Sequence, residues 1–132
     1  MTHEFLNPPT MFTPQGFSHV AIVTRKKHIY LAGQGGVNTV PEVIGKGDLA
    51  AQTDATYTNL RLALEAAGAS FADVFKVVTY VVDLTAEKLE VIRAVRFKHV
   101  GDGPYPPSTM VGVSSLIHPD LLIEIEMIAA ID

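Results

Sequence analysis

Two glutamates near the C-terminus have a spacing that suits acid–base chemistry. Glu124 and Glu126 lie two positions apart in the apolar run LLIEIEMIAAI (121–131). Side chains two apart on a strand point to the same face, with Cα atoms about 6.7 Å apart. Carboxylates that face apolar surroundings beside a like charge can exchange protons near neutral pH, so the pair is a catalytic candidate. Spacing alone favours the alternative, an edge strand with one wet face and two solvated glutamates.

The sequence does not contain the residue patterns that several other common catalytic and binding sites require. There is no cysteine, which excludes thiolate nucleophiles and disulfides. The five histidines show no pair at the spacing of a zinc or iron site, so no metal is predicted. The stretch Gly33-Gln34-Gly35-Gly36 follows a strand, but Asn38 occupies the last glycine position of a dinucleotide-binding fingerprint. No G-x-S-x-G nucleophile elbow is present.

The length, net charge and composition of the chain limit the kinds of protein that it can be. The chain has 132 residues, which predicts a single domain, and its net charge of −4 is unfavourable for a nucleic-acid partner. Charged residues make up 18% of the chain, below the roughly 25% of an average domain. We therefore expect part of the apolar surface to lie in a subunit interface. No signal peptide or membrane span is recognised, and a cytoplasmic protein is expected.

The N-terminal half is predicted to begin with an arm and a hairpin. Residues 1–16 contain three prolines and read as an irregular arm, leaving 17–132 as one domain. The β-branched run 18–24 and the run 28–33 are predicted strands. Arg25, Lys26 and Lys27 between them indicate a hairpin turn, and a solvated turn is favoured over a phosphate contact.

Two helices and three further strands follow. A helix is predicted from Asp48 as N-cap to Gly68 as C-terminal stop, and a second from Thr85 to about Val100. Strands are predicted at 74–84, 108–116 and 121–131. The order β-β-α-β-α-β-β predicts an α+β fold, a mixed sheet with two helices on one face. The other face then needs a second subunit to cover it.

Several segments together resemble the Rid family of reactive-intermediate deaminases, also called YjgF or L-PSP proteins. They are, in order, GFSHV (16–20), YLAGQ (30–34), NLRLALEAAGASFADVFKVVTYVVDL (59–84), PPSTMVGV (106–113) and IEIEMIA (123–129). The resemblance implies a chorismate-mutase-like fold and a homotrimer whose sheets form a central barrel with pockets between subunits. It also implies hydrolysis of an imine or enamine to a keto acid and ammonia, without a cofactor.

The resemblance assigns roles to individual residues. Glu126 matches the second glutamate of the family's IEIE segment, which handles the attacking water. Gly33 matches the glycine whose backbone faces the substrate. Phe17 matches the aromatic residue that covers the pocket, where tyrosine is usual, and His19 stands where glutamine is common.

One position departs from the family pattern. Ser108 stands where members active on 2-imino acids carry an arginine that binds the substrate carboxylate, followed by Thr109 and by Met110 in place of a common cysteine. Losing this bidentate contact makes standard 2-imino acid activity doubtful. Arg93, where the family often has asparagine, or Arg96 could supply the charge, although their position also suits a helix surface. Alternatively, residues 108 and 109 form a neutral pocket.

Three functions remain open at this point. The first is a Rid-type hydrolase of an imine, enamine or related C–N bond, with Glu126 activating water and a small-molecule substrate bound at subunit interfaces. The second is a non-catalytic trimer that binds a metabolite or a protein partner, suggested by Ser108. The third and weakest is a ribonuclease or translation inhibitor, which the charge of −4 opposes.

Overall fold

The computed structural model describes residues 3–132 as two helices packed on one face of a mixed four-stranded sheet. A separate two-stranded sheet lies at the N-terminal end. In chain order the elements are β1 (Glu4–Leu6), β2 (Val20–Ile22), β3 (Lys27–Tyr30), α1 (Leu49–Ala66), β4 (Val74–Val82), α2 (Ala86–Val100), β5 (Ser108–Val113) and β6 (Ile123–Ile131), with one 3₁₀ turn at Phe71–Asp73. The α+β class predicted from the sequence is confirmed.

The ends of both helices are set by the predicted residues. Asp48 caps α1 by accepting a hydrogen bond from the Ala51 amide at 3.0 Å, and Thr85 caps α2 through the Lys88 amide at 3.2 Å. Gly68 and Gly101 follow the two helices with φ of +78° and +72°. A side chain would be strained in that left-handed conformation, so glycine provides the stop.

The main sheet has the strand order β3-β6-β4-β5. Strand β6 pairs antiparallel with both β3 and β4, and β4 pairs parallel with β5. Strand β6 is therefore an interior strand, and the edge placement in the alternative for Glu124 and Glu126 is wrong. Both neighbours of β6 reach it across long stretches of sequence, so the run 121–131 alone does not reveal its place.

The two faces of β6 carry different side chains: one face packs into the core, and the other carries the two candidate glutamates. Ile123, Ile125 and Met127 are buried beneath the helices, where they join Leu60 and Leu64 of α1 in the core. This confirms the predicted inner face. The side chains of Glu124 and Glu126 alternate to the other side, which no helix covers.

We call the uncovered side of the main sheet the open face. Strand register places on it Glu124, Glu126, Val78, Tyr80, Thr109, Val111 and Tyr30. Tyr30 is 72% exposed, although an aromatic ring on a sheet face is usually packed. Within the chain, nothing from the helices covers this surface.

Two predictions for the N-terminal region are wrong. The arm is not wholly irregular, because Glu4–Leu6 forms β1 and pairs antiparallel with β2. The predicted hairpin does not form, because β2 and β3 belong to different sheets and β3 pairs with β6. The physical reason is that β1, which comes from the arm, is the strand that pairs with β2, so residues 23–26 connect two different sheets.

Candidate active site

Glu126 is held by a tyrosine on the open face. The Tyr80 hydroxyl donates a hydrogen bond to Glu126 Oε1 at 2.6 Å. Tyr80 is the direct cross-strand partner of Glu124, so its phenol reaches Glu126 along the diagonal, as long side chains can on a twisted sheet. This hydrogen bond raises the pKa of the Tyr80 phenol, which therefore stays a proton donor near neutral pH. One carboxylate oxygen of Glu126 is thus oriented, and the other has no such partner among the described residues, 3–132.

Gly33 lies beside Glu124 rather than Glu126. A Cβ atom added at Gly33 would overlap Glu124 Oε2, so the glycine permits the carboxylate to lie against the main chain. The next residue, Gln34, exchanges backbone hydrogen bonds with Ile125 at 2.8 and 3.0 Å. The backbone of Gly33 is therefore fixed at the margin of the open face, next to the glutamate pair.

Residues 108 to 110 divide between the two sides of the sheet. Thr109 is on the open face, where its hydroxyl accepts a hydrogen bond from Lys76 Nζ at 3.2 Å. Ser108 and Met110 point to the helix side, where they line a cavity of about 310 Å³. The alternation of β5 thus separates three residues that are consecutive in sequence.

Arg93 and Arg96 line this same cavity from α2. Arg93 Nη2 donates to the Gln15 carbonyl at 3.1 Å and Arg96 Nη1 to the Gly16 carbonyl at 2.9 Å. Both side chains are half-buried, so the interpretation of them as plain helix-surface residues is wrong. We call this space, lined by Arg93, Arg96, Ser108, Met110, Tyr57 and Tyr105 among others, the arginine cavity.

Phe17 and His19 form an aromatic cluster with Phe12 beside that cavity. The Phe17 and His19 rings are 5.4 Å apart at 85°, and Phe12 and His19 are 4.7 Å apart at 88°. A ring nitrogen of His19 lies 2.8 Å from the Phe12 carbonyl. Phe12 is 68% exposed, so the cluster presents aromatic surface outward. Gly16, next to Phe17, lines the cavity and joins the two features.

The predicted site residues therefore fall into separate groups within one chain. Glu126, Thr109 and Gly33 are on or beside the open face, whereas Ser108, Met110 and Arg93 are on the helix side. The sheet stands between them. The open face offers an oriented carboxylate for proton transfer, and the cavity offers positive charge and apolar walls.

Three tyrosines that were not predicted as site residues contact Glu126 or line the arginine cavity. Tyr80 orients Glu126, Tyr105 stacks its ring 4.1 Å from the Arg96 guanidinium carbon, and Tyr57 lines the cavity. Burial raises the pKa of Tyr57 to about 12, against a weaker opposing effect of Arg96. The Tyr57 phenol therefore remains neutral across the physiological range. Sequence spacing carried no signal for these contacts, because Tyr80 and Glu126 are 46 positions apart and Tyr105 reaches Arg96 from the irregular segment that follows α2.

The raised pKa of Tyr57 predicts a loss of stability in alkali. The unfolded phenol ionises near pH 10 and the folded one near 12, so stability falls as pH rises between these values. At pH 11 the wild type should have lost about 1.4 kcal/mol more of its unfolding free energy, relative to pH 9, than Tyr57→Phe. Urea unfolding at both pH values measures this difference. Tyr30→Phe, which removes an exposed phenol, should behave as the wild type, and an equal loss in Tyr57→Phe would refute the assignment.

Two searches of the described residues were negative. Within 3–132, no three histidine or acidic side chains come together as a group able to hold a metal ion. Over the same residues, no helix has the length and apolar character needed to cross a membrane.

Comparison with known proteins places the chain in a family. Residues 11–131 match the family model described as Endoribonuclease L-PSP. A RutC family protein of Pyrococcus horikoshii is 35% identical over 102 residues, covering 76% of this chain and 77% of that protein. A protein of Dermatophagoides farinae named 2-iminobutanoate/2-iminopropanoate deaminase is 30% identical over 104 residues, covering 79% and 78%.

A solved structure extends the similarity over the whole fold. The crystal structure of a Rid family protein of unknown function from Yersinia pestis superposes with a TM-score of 0.89 at 37% identity, covering 99% of this chain and 100% of that one. Sequence and fold agree with the resemblance carried by the five segments. The chain belongs to the L-PSP family, whose members include the Rid proteins.

Proposed function

We propose that the protein hydrolyses the C=N bond of a small imine, or of its enamine tautomer, with Glu126 as the general base. Glu126 takes a proton from water as the water oxygen bonds to the imine carbon. Glu126 passes that proton to the imine nitrogen, which gives the carbinolamine. The carbinolamine hydroxyl then loses its proton to Glu126, which delivers it to the nitrogen as the C–N bond breaks, so ammonia leaves and a carbonyl remains. Water and imine are the only reactants, so the step needs no redox partner.

The oriented carboxylate of Glu126 carries this proposal. Tyr80 occupies one oxygen through its 2.6 Å hydrogen bond, which leaves the other oxygen to contact a water molecule. The side chain is half-buried among the apolar side chains of the open face, such as Val78 and Ile128. Such surroundings limit competing bulk water and strengthen electrostatic interactions. The relative named as a 2-iminobutanoate/2-iminopropanoate deaminase supports the same reaction class.

A complete site requires two copies of the chain in this proposal. Glu126 and the arginine cavity lie on opposite sides of one sheet, so one substrate cannot touch both within a single chain. The uncovered face with the exposed Tyr30 is the surface a second copy would cover. We propose that this copy comes from a homotrimer, and light scattering of the purified protein would measure a mass near three times 14.2 kDa.

An imine-decay assay tests the reaction class. An amino-acid oxidase generates a panel of 2-imino acids in solution, and imine absorbance is followed with and without the protein. The proposal predicts faster decay, in proportion to protein concentration, for at least one member. Unchanged decay across 2-imino acids and across neutral imines would refute it.

The serine at position 108 supports a second candidate function for the protein, that of a non-catalytic oligomer that binds a metabolite or a partner protein. A neutral hydroxyl cannot replace the bidentate arginine contact of 2-imino acid deaminases. This candidate predicts that ligand binding occurs without turnover and survives Glu126→Gln. A ribonuclease role has weaker support, because the net charge is −4 and phosphate binding requires basic surface.

A further inference from the structure

The arginine cavity holds positive charge without a counter-charge. No aspartate or glutamate lines it among the described residues, whereas Arg93 and Arg96 both do. Within residues 3–132, the basic side chains that lie within 4.0 Å of a carboxylate are those of Arg25, Lys46, Arg61 and His99, and neither cavity arginine is among them. Half-buried cations in an apolar setting are unfavourable unless an anion accompanies them.

The two guanidinium groups also have unused donors. Each has five N–H bonds, and within the described part of the chain each makes one hydrogen bond to a backbone carbonyl, Arg93 to Gln15 and Arg96 to Gly16. Among residues 3–132, the buried Arg96 Nε has no hydrogen-bond partner. A buried donor without a partner is destabilising, so its persistence points to a ligand that satisfies it.

The guanidinium group of Arg96 is held in one position by its neighbours, as is typical of a ligand-binding side chain. Its guanidinium carbon lies 4.1 Å from the centre of the Tyr105 ring, a cation–π stack that holds its plane. The Tyr105 hydroxyl in turn donates to the Gly101 carbonyl at 2.6 Å, at the end of α2. The arginine is therefore positioned before any ligand arrives, which reduces the entropy lost on binding.

The rest of the cavity suits a compact apolar group. Its walls include Val77, Ile92, Met110 and Met127, and the neutral hydroxyls of Tyr57 and Ser108 also line it. A volume of about 310 Å³ is at the small end of ligand sites. A planar carboxylate matches the guanidinium fork through two parallel N–H···O hydrogen bonds.

From these observations we propose that Arg93 and Arg96 form a carboxylate-binding site for a small organic monoanion with a short apolar tail. In this chain the two arginines of α2, rather than residue 108, bind the acid group. The proposal concerns binding, and it deepens the proposed hydrolysis by making the substrate a carboxylate with a short aliphatic side chain. In that respect alone it rests on the proposed function.

Calorimetric titration with 2-oxobutanoate tests the site, with its neutral amide, 2-oxobutanamide, as the ligand control. The wild type should bind 2-oxobutanoate at least tenfold more tightly than the amide. Arg96→Gln and Arg93→Gln should each weaken 2-oxobutanoate binding by tenfold or more, and leave the amide unaffected. Arg61→Gln, at an exposed arginine paired with Glu65 on α1, is the matched control and should bind as the wild type does.

A purely structural role for the arginines makes a different prediction. If they only tie residues 15 and 16 to α2, the variants lower the melting temperature without changing the affinity of the folded fraction. Arg96→Lys, which keeps the charge but not the fork, should bind with intermediate affinity. Equal 2-oxobutanoate affinity in the wild type and both glutamine variants, or no binding by the wild type, would overturn the proposal. If Arg96→Gln does not fold, the affinity of Arg93→Gln and chemical-shift mapping of 2-oxobutanoate on the wild type distinguish the binding role from the structural one.

The same preparations separate this proposal from the hydrolysis. Arginine-dependent binding without turnover of any imine supports the carboxylate site and refutes the proposed reaction. Glu126-dependent turnover with unchanged affinity in both arginine variants refutes the carboxylate site and leaves the reaction standing.

Discussion

Glu126→Gln should reduce imine hydrolysis at least about 100-fold, the effect of losing a positioned general base. Glutamine has the same shape, and its carbonyl oxygen can still accept the Tyr80 hydrogen bond. We therefore expect the melting temperature and oligomeric state to stay as in the wild type. Steady-state rates from the imine-decay assay and circular dichroism melting measure the two properties on one preparation.

Two companion variants sharpen this result. Glu124→Gln changes the same residue type on the same face and should cost less activity, because Tyr80 orients Glu126 rather than Glu124. Tyr80→Phe removes only the orienting hydroxyl and should lower kcat by about tenfold, with KM little changed. A larger loss in Glu124→Gln than in Glu126→Gln would show that the wrong carboxylate has been assigned.

Gln52→Leu should produce a large loss of stability. Gln52 is fully buried and joins three segments: its amide donates to the Gly45 and Asp120 carbonyls at 3.2 and 2.8 Å, and its carbonyl accepts from the Leu122 amide at 2.8 Å. Leucine fills the space but satisfies none of these groups. Buried backbone groups left unpaired cost about 1–3 kcal/mol each, so we expect a loss of about 3 kcal/mol or more.

A loss of that size corresponds to a fall of about 10 °C in melting temperature for a chain of this length. Differential scanning calorimetry measures it. Gln34→Leu is the control, because the Gln34 side chain makes one exposed hydrogen bond, to the Ala32 carbonyl at 3.1 Å. A fall in Gln52→Leu no greater than in Gln34→Leu would contradict the role assigned to Gln52.

Local sequence predicted the elements whose causes are local. Asp48 and Thr85 cap helices because their side chains bond amides three residues on, and Gly68 and Gly101 end them because they adopt positive φ. The alternation in 123–127 likewise predicted which side chains enter the core. Each of these outcomes depends on neighbours within a few positions, which a pattern can record.

Strand pairing was beyond the reach of the sequence. The runs 18–24 and 28–33 looked like a hairpin because they are adjacent, yet β2 pairs with β1 and β3 pairs with β6. The choice depends on which distant strand offers the better partner. For the same reason the runs did not show that β6 is an interior strand.

The site was predicted in its residue types but not in its geometry. Two glutamates on one face and a neutral residue at 108 were visible in the sequence. The contact of Tyr80 with Glu126 spans 46 positions, and the contact of Arg96 with Gly16 spans 80. Interactions of this kind are created by the fold, so no spacing rule predicts them.

The most direct test of the proposed reaction is the release of ammonia from 2-iminobutanoate generated in solution. Ammonia and 2-oxobutanoate are measured over one time course with the wild type, with Glu126→Gln, and without protein. We predict equimolar release of both products that is fastest with the wild type and indistinguishable from the blank with Glu126→Gln. Equal rates with the wild type and Glu126→Gln would contradict the assignment of Glu126 as the group that activates water.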